Sequence, residues 1–255
     1  MREFLFIGII YDMLRFIYVI IANLFRAPWI IPKMRRMASH PDRYTISERY
    51  ALAQQMIRYM SASGRISTEV YGIENLPDKG GYIMFPNHQG KYDALGIIST
   101  HPSSCTFVMD KMKSRRFLIN ELVRLLYAKR LKIRDPRDGL KVMNQIAQEV
   151  RNGARYILFS EGGYHHNHNH VCEFHPGSFK CALWAKAPIV PVALIDSYKV
   201  FNSLHFGPIT TKVIYLKPIM YQEYKHMKTP QIARMVRGRI IAAMAEHGVD
   251  GSAQR

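Results

Sequence analysis

From residue 68 onward, short apolar runs of four to six residues alternate with longer segments whose apolar positions recur at helical spacing, and this alternation constrains the fold more than any other feature. Runs bounded by Gly, Pro, Asn or Ser are predicted as strands at residues 68–73, 82–85, 106–109, 156–159 and 189–194, with 213–216 as a last, edge-like strand. A turn-rich loop, 75–81, separates the first two. Between the strands lie predicted helices: a short one after Asp93 carried by Ala94, Leu95, Ile97 and Ile98, one over 138–153 carried by Leu140, Met143, Ile146, Ala147 and Val150, and one over 178–186 with Phe179, Leu183 and Trp184 in the core. Thr229-Pro230 reads as an N-cap and N1 pair opening a terminal helix that ends at Gly248, and residues 250–255 are expected to be disordered. The expected fold class is α/β, a mixed, largely parallel sheet flanked by helices. At 255 residues the chain is long enough for one well-buried core.

The N-terminal quarter has a different texture. Residues 1–64 are expected to form an N-terminal membrane-associated helical segment and residues 65–255 the α/β domain. Residues 4–25 are apolar and long enough to cross a bilayer, which takes about 20 residues. Asp12, Arg15, Asn23 and Arg26, however, fall within roughly an 80° arc of a helix, and Asp12 and Arg15 are placed to pair. A charge at the bilayer centre costs about 2.5–3.5 kcal/mol, so a helix lying in one leaflet, its stripe toward headgroups or protein, is expected. Those interrupting charges, and the lack of a small-x-small site, argue against a cleaved signal peptide. A bend is predicted over residues 27–32, with Trp29 as an interfacial aromatic and Lys33, Arg35 and Arg36 following; if it reverses the chain, the first fifty or so residues make a helical hairpin. Thr45-Ile46-Ser47-Glu48 then has capping-box spacing, and Leu52, Met56, Ile57 and Met60 share one face of a helix closed at Gly64.

A formal net charge of +17 calls for an anionic partner: nucleic acid, an acidic membrane surface or a phosphorylated substrate. The sequence has no zinc-finger, RRM or KH signature, and with an apolar N-terminus the expectation is anionic membrane lipids and no nucleic acid. Positive charge is densest at Lys111, Lys113, Arg115 and Arg116 and again at Lys129, Arg130, Lys132 and Arg134. Such a run is ordinarily a solvated face. Cys105, Cys172 and Cys181 are odd in number and lack C-x-x-C spacing, which fits a reducing compartment without disulfides or a thiol zinc site.

Chemistry concentrates in Phe85-Pro86-Asn87-His88-Gln89-Gly90-Lys91-Tyr92-Asp93. Pro86 ends a strand just before His88, and Asp93 falls at the N-cap or first turn of the following helix. The two side chains meet only if Gln89-Gly90-Lys91 turns the chain, and neutral imidazole held in one tautomer by a carboxylate can then take a proton from a hydroxyl. Read on their residue types alone, the pair is more simply a loop histidine beside a capping aspartate. Glu161 also follows a strand, so one cleft beyond the strands' carboxyl ends can hold both residues. After it, Gly162 and Gly163 leave backbone amides bare for a phosphate or an oxyanion, unless Glu-Gly-Gly is an ordinary turn. The histidines at 165, 166, 168, 170 and 175 have no tetrahedral ligand spacing; the expectation there is a solvated loop over the cleft and no metal.

His88 through Asp93 matches the H-x4-D signature of the glycerolipid acyltransferases, with Asn87 fitting as well. Phe159-Ser160-Glu161-Gly162-Gly163 resembles that family's F-P-E-G-T-R block, and Ile189-Val190-Pro191-Val192-Ala193-Leu194 its V-P-V block. Order and spacing agree from about Tyr71 to about Pro218. The resemblance implies His88 and Asp93 as the catalytic pair, and Asn87, Lys111, Lys113, Glu161, Gly162 and Gly163 as substrate-binding. Lys111 is the closest match for a phosphate-binding lysine. It further implies acyl-CoA or acyl-ACP (acyl carrier protein) as donor, a lysophospholipid acceptor acylated at sn-2 of lysophosphatidic acid, no metal or other cofactor, and attachment to the cytoplasmic face of the cell membrane through a two-helix N-terminal motif. One position departs: Tyr164 stands where the family carries a phosphate-gripping arginine, whose planar fork a phenol does not replace. Two rivals use the same residues differently, a non-catalytic membrane or nucleic-acid binder and a metal-dependent lipid phosphohydrolase built on the histidine loop.

Overall fold

The computed structural model describes residues 14–164, 167–201 and 207–252. Two helices, α1 (Leu14–Ala22) and α2 (Ala27–Ser39), run into each other through a 3-10 turn with a 41° bend, and α3 (Ile46–Ser63) follows. Seven strands come next: β1 (Ile66–Tyr71), β2 (Tyr82–Pro86), β3 (Thr106–Asp110), β4 (Lys129–Leu131), β5 (Arg155–Ile157), β6 (Ile189–Ile195) and β7 (Ile209–Tyr215). Between and after them lie α4 (Asp93–Thr100), α5 (Ile119–Leu125), α6 (Pro136–Arg151), α7 (Lys180–Ala185), α8 (Tyr198–Phe201), α9 (Tyr221–Tyr224) and α10 (Thr229–Glu246).

The strands form one mixed sheet in the order β1-β7-β6-β2-β5-β3-β4. Every neighbouring pair is parallel except β6 with β7. Alternate side chains feed two apolar layers. Ile83, Phe85, Ala193 and Ile195 pack with α6, α7 and α10, whereas Tyr82, Met84, Val192 and Leu194 pack with α2, α3, α4 and α5. The second layer includes Met34 and Met37 of α2 and Leu52, Ala53 and Ile57 of α3, so helices on both sides of residue 64 share one core with the sheet.

Several expectations move. The expected edge strand at 213–216 is the end of β7, which pairs with β1 from Ile66↔Ile209 to Tyr71↔Ile214 and with β6 on its other side. The edges are β1 and β4. Its first residues looked loop-like because exposed Thr210 and half-buried Lys212 alternate with buried Ile209, Thr211 and Val213. Nor was any element expected between residues 110 and 138, yet α5 buries Leu122, Val123 and Leu125 there and β4 pairs with β3. Lys129 and Arg130 obscured β4, and α5 is only seven residues long. Lys228, not Thr229, is the N-cap of α10, and Gly251, expected to be disordered, is buried and accepts a hydrogen bond from Val171 N.

The N-terminal bend lies at Asn23 rather than at 27–32. Asn23 Nδ2 donates to Val19 O at 2.8 Å, a side-chain bond that competes with the helix's own ladder. Pro28 sits in the first turn of α2, where an N–H has no intrahelical partner anyway, and Pro32 is accommodated inside the helix. The thirteen-residue α2 therefore runs through the expected bend, and the next turn comes at residues 41–43. The polar stripe faces protein: Arg15 is buried and donates to Gly64 O and to Gly207 O, and Asn23 Nδ2 also reaches Ser63 Oγ. Asp12 and its pairing with Arg15 lie outside the described residues. The capping box of α3 forms as expected, Thr45 Oγ1 accepting from Glu48 N and Glu48 accepting from Thr45 N.

Candidate active site

The parallel register of β2 and β5 sets the site. Met84 stands opposite Ile157, and four residues beyond each lie His88 and Glu161. Parallel strands carried past their last ladder bond place those two positions side by side at the sheet's carboxyl edge. Glu161 Oε1 accepts from His88 N at 2.8 Å, and its Oε2 accepts from Cys172 N at 3.3 Å. Glu161 therefore holds the backbone of the histidine, a positioning task rather than the substrate contact expected for it.

His88 Nδ1 lies 2.6 Å from Asp93 Oδ2. The same oxygen accepts from Gln89 N at 2.6 Å and Gly90 N at 2.9 Å, while Oδ1 accepts from Ser197 Oγ. The turn that brings acid to imidazole is thus wound around the Asp93 carboxylate itself. Gly90 serves by offering its N–H, without entering the left-handed region. A carboxylate on Nδ1 fixes the tautomer and leaves Nε2 as the working nitrogen. Phe159 stacks on the imidazole at 4.3 Å between centroids, and the Tyr164 ring meets it edge-on at 4.9 Å. Burial raises the Tyr164 phenol, with the Asp93 charge adding to the shift, so at neutral pH it is a neutral wall.

Asn87, expected on the substrate, is spent inside the fold. It is fully buried, its Nδ2 donating to Leu194 O at 3.0 Å and its Oδ1 accepting from Leu194 N at 2.7 Å. That clamp fastens the end of β2 to β6 and removes Asn87 as an oxyanion donor. Gly162 does have the exposed backbone expected of it: its φ is +74°, and a Cβ there would stand 2.7 Å from His175 Nε2. Gly163 follows at φ +152°. Of the basic cluster, the residue brought to the site is Lys113, whose Nζ is 5.8 Å from the Tyr164 ring centroid. Arg116 is close enough to lower the same phenol's pKa. Lys111 is exposed, and its backbone N–H is joined to Leu131 O.

Four polar residues of the site were not anticipated. Ser197 and Gln89 bind each other, Ser197 N donating to Gln89 Oε1 at 3.0 Å, and Gln89 Nε2 donates to Leu194 O and to Asn169 Oδ1. Asn167 Nδ2 donates to His88 O at 3.0 Å, and Asn169 Nδ2 to Asp196 Oδ1. Ser197 was findable, because it follows β6 as His88 follows β2. In the histidine-rich loop it is the asparagines that hold the site: His168 stacks on Tyr198, and among the described residues no group of three or more histidine, cysteine, aspartate or glutamate side chains is placed to hold a metal. His165 and His166 lie outside the described residues.

Burial pushes the Glu161 carboxyl up to about 7, against the lowering effect of the His88 N–H bond. A folded-state value above the unfolded one contributes stability below about pH 4.5 that is lost as pH rises toward about 7. At about 1.4 kcal/mol per unit, the change is on the order of 3 kcal/mol. Melting temperatures of wild type and Glu161→Gln, followed from about pH 5 to 8, are expected to diverge, with a downward component in wild type that the variant lacks. Parallel curves would show that Glu161 stays ionised throughout.

A mixed α/β sheet carrying a carboxylate-oriented imidazole at its carboxyl edge defines an enzyme equipped for proton transfer. An acyltransferase family model matches residues 67–195, from β1 to the end of β6. The chain belongs to that acyltransferase family. It is 26% identical over 211 residues to 1-acyl-sn-glycerol-3-phosphate acyltransferase alpha of Ovis aries, covering 80% of this chain and 72% of that one. The protein of the same name from Homo sapiens is 25% identical over 211 residues, covering 80% and 73%. In fold the chain is similar to the crystal structure of the 1-acyl-sn-glycerophosphate (LPA) acyltransferase PlsC from Thermotoga maritima, with a TM-score of 0.67, 17% identity, and 96% and 98% of the two chains covered.

Proposed function

We propose that this acyltransferase moves a fatty acyl group from an acyl-CoA or acyl-ACP thioester to the free sn-2 hydroxyl of lysophosphatidic acid, giving phosphatidic acid. The observation that carries the mechanism is the Asp93–His88 pair with Nδ1 engaged at 2.6 Å. His88 Nε2 takes the hydroxyl proton as the oxygen attacks the thioester carbonyl. Backbone amides at Gly162 and Gly163 receive the oxyanion, a role worth about 3 to 4 kcal/mol per donor. The C–S bond then breaks and the proton passes from His88 to the leaving thiolate. No acyl-enzyme, metal or redox cofactor takes part. The relatives' names support the acceptor class, and Lys113 with Arg116 supplies positive charge beside Tyr164 for its phosphate.

Membrane attachment belongs to the same proposal. Among the described residues no single helix is long and apolar enough to cross a membrane. With the stripe of Arg15 and Asn23 turned to the protein, Ile21, Leu24, Phe25 and Trp29 are exposed on α1, the bend and α2, which suits helices lying in one leaflet.

Thiol release from acyl-CoA and from acyl-ACP, with lysophosphatidic acid and other lysolipids offered in turn and with chelator added, tests this function. Turnover that needs lysophosphatidic acid and ignores chelator is expected. Because Tyr164 replaces the family's arginine, turnover with only another lysolipid would keep the chemistry and change the acceptor. Lys113→Ala is expected to raise the acceptor's KM about tenfold or more with kcat within about twofold, the signature of a lost ground-state phosphate contact. If Lys111→Ala does so instead, the phosphate lies nearer the end of β3.

A further inference from the structure

On either side of Lys113, which reaches Tyr164, apolar side chains are held in water by a segment that is itself firmly built. The turn after β3 is closed by Asp110 Oδ1, which accepts from Met112 N at 3.0 Å and from Lys113 N at 2.8 Å. Ser114 is fully buried and donates to Lys111 O at 2.8 Å, pinning a 3-10 turn over Lys113–Arg115. On this scaffold Met112 is 73% exposed and Phe117 67% exposed, values matched among the large apolar side chains of the described residues only by Trp29 at 74%. A rigid turn presenting two large apolar side chains is a surface awaiting a partner rather than a frayed loop. The residues around them, Lys111, Lys113, Arg115 and Arg116, are all positive, and the one carboxylate of the turn, Asp110, is occupied with its own backbone.

The segment is also tied to the N-terminal helices. Leu118 N donates to Glu121 Oε2, and Glu121 Oε1 accepts both Arg35 Nε and Arg35 Nη2 of α2. Phe117 is therefore one residue from a junction that fastens the start of α5 to α2, whose opposite end exposes Trp29. On its other side Lys113 reaches Tyr164, and Tyr164 touches His88.

We propose that residues 111–117 are a second membrane-docking element, in which Met112 and Phe117 enter the acyl boundary of a bilayer while Lys113, Arg115 and Arg116 lie at the depth of acidic headgroup phosphates. An apolar wedge ringed by cations matches an anionic lipid surface in both chemistry and charge. Docked in this way, the site opens directly onto the bilayer's headgroup layer, and a lipid acceptor moves sideways into it without crossing water. Docking is independent of the catalytic assignment: the chain can bind vesicles in this manner even if lysophosphatidic acid is not its acceptor.

The test uses the full chain and vesicles of phosphatidylcholine with and without phosphatidylglycerol. In Met112→Glu/Phe117→Glu, partition onto anionic vesicles is expected to fall roughly tenfold or more. Acyl transfer to a monodisperse short-chain lysolipid is expected to stay within about twofold of wild type. A Phe117→Trp probe, in a Trp29→Phe/Trp184→Phe background so that it is the sole tryptophan, is expected to shift its emission to the blue when anionic vesicles are added. Unchanged partition of the double variant, or no shift of the probe, would overturn the proposal. Equal loss of activity on the monodisperse acceptor would assign the segment to the substrate site instead. A wild-type dimer that the double variant dissociates would assign these residues to an interface between copies of the chain.

Discussion

His88→Ala is expected to lower kcat for acyl transfer by about 10²–10⁴-fold, the range for removal of a positioned general base. The loss should fall on kcat and kcat/KM together, because the proton is taken only as the bond to the acyl carbon forms. The fold has little reason to change. The side chain is 18% exposed, and the backbone N–H that Glu161 accepts survives the substitution. Thiol release measured beside circular dichroism and melting temperature would separate chemistry from stability. Turnover within a few-fold of wild type in a folded variant would remove His88 from the mechanism and assign the proton transfer to another group.

Asp93→Asn is the second large effect, and it combines two losses. Wild-type Asp93 accepts from Gln89 N, Gly90 N and Ser197 Oγ while holding His88 Nδ1. An amide nitrogen at the Oδ2 position opposes the Gln89 and Gly90 N–H donors, which costs about 1–3 kcal/mol for the group left unpaired, whereas at the Oδ1 position it meets Ser197 Oγ, a hydroxyl able to turn and accept. In that second orientation the amide keeps its oxygen toward the two backbone donors, but the imidazole loses its charged partner and the imidazolium formed during reaction is no longer stabilised. Loss of an orienting carboxylate in such an arrangement costs up to about 10⁴-fold in kcat. The expected result is therefore a lower melting temperature together with a kcat reduced by about 10²–10⁴-fold and a nearly unchanged KM. A variant that loses stability but retains kcat would show that Asp93 is a structural plug and that His88 works without it.

How much of this was legible in the chain differs from residue to residue. His88 and Asp93 were visible because both lie within one short segment, where a strand's end and a helix's first turn bring them together locally. The α/β class was visible because the apolar periodicities of β2, β6 and α6 are strong and uninterrupted. β4 was hidden because two of its three residues are basic, and α5 because seven residues are too few for an apolar period to stand out. Asn87 was placed on the substrate because its neighbour is the base, yet its partner is Leu194, more than a hundred residues away. Nothing local distinguishes an asparagine that binds a ligand from one that closes a sheet.

The sequence by itself determined the alternation of strands and helices, the acid–base pair and the excess of positive charge, because each depends on neighbours within a few positions of the chain. Only the tertiary structure decided which strand lies beside which. That order puts Glu161 under the His88 backbone, Ser197 on Asp93, Lys113 rather than Lys111 beside Tyr164, and the polar stripe of α1 against protein instead of water. These pairings join residues 50 to nearly 200 positions apart, and they exist because a parallel sheet collects the ends of distant strands along one edge.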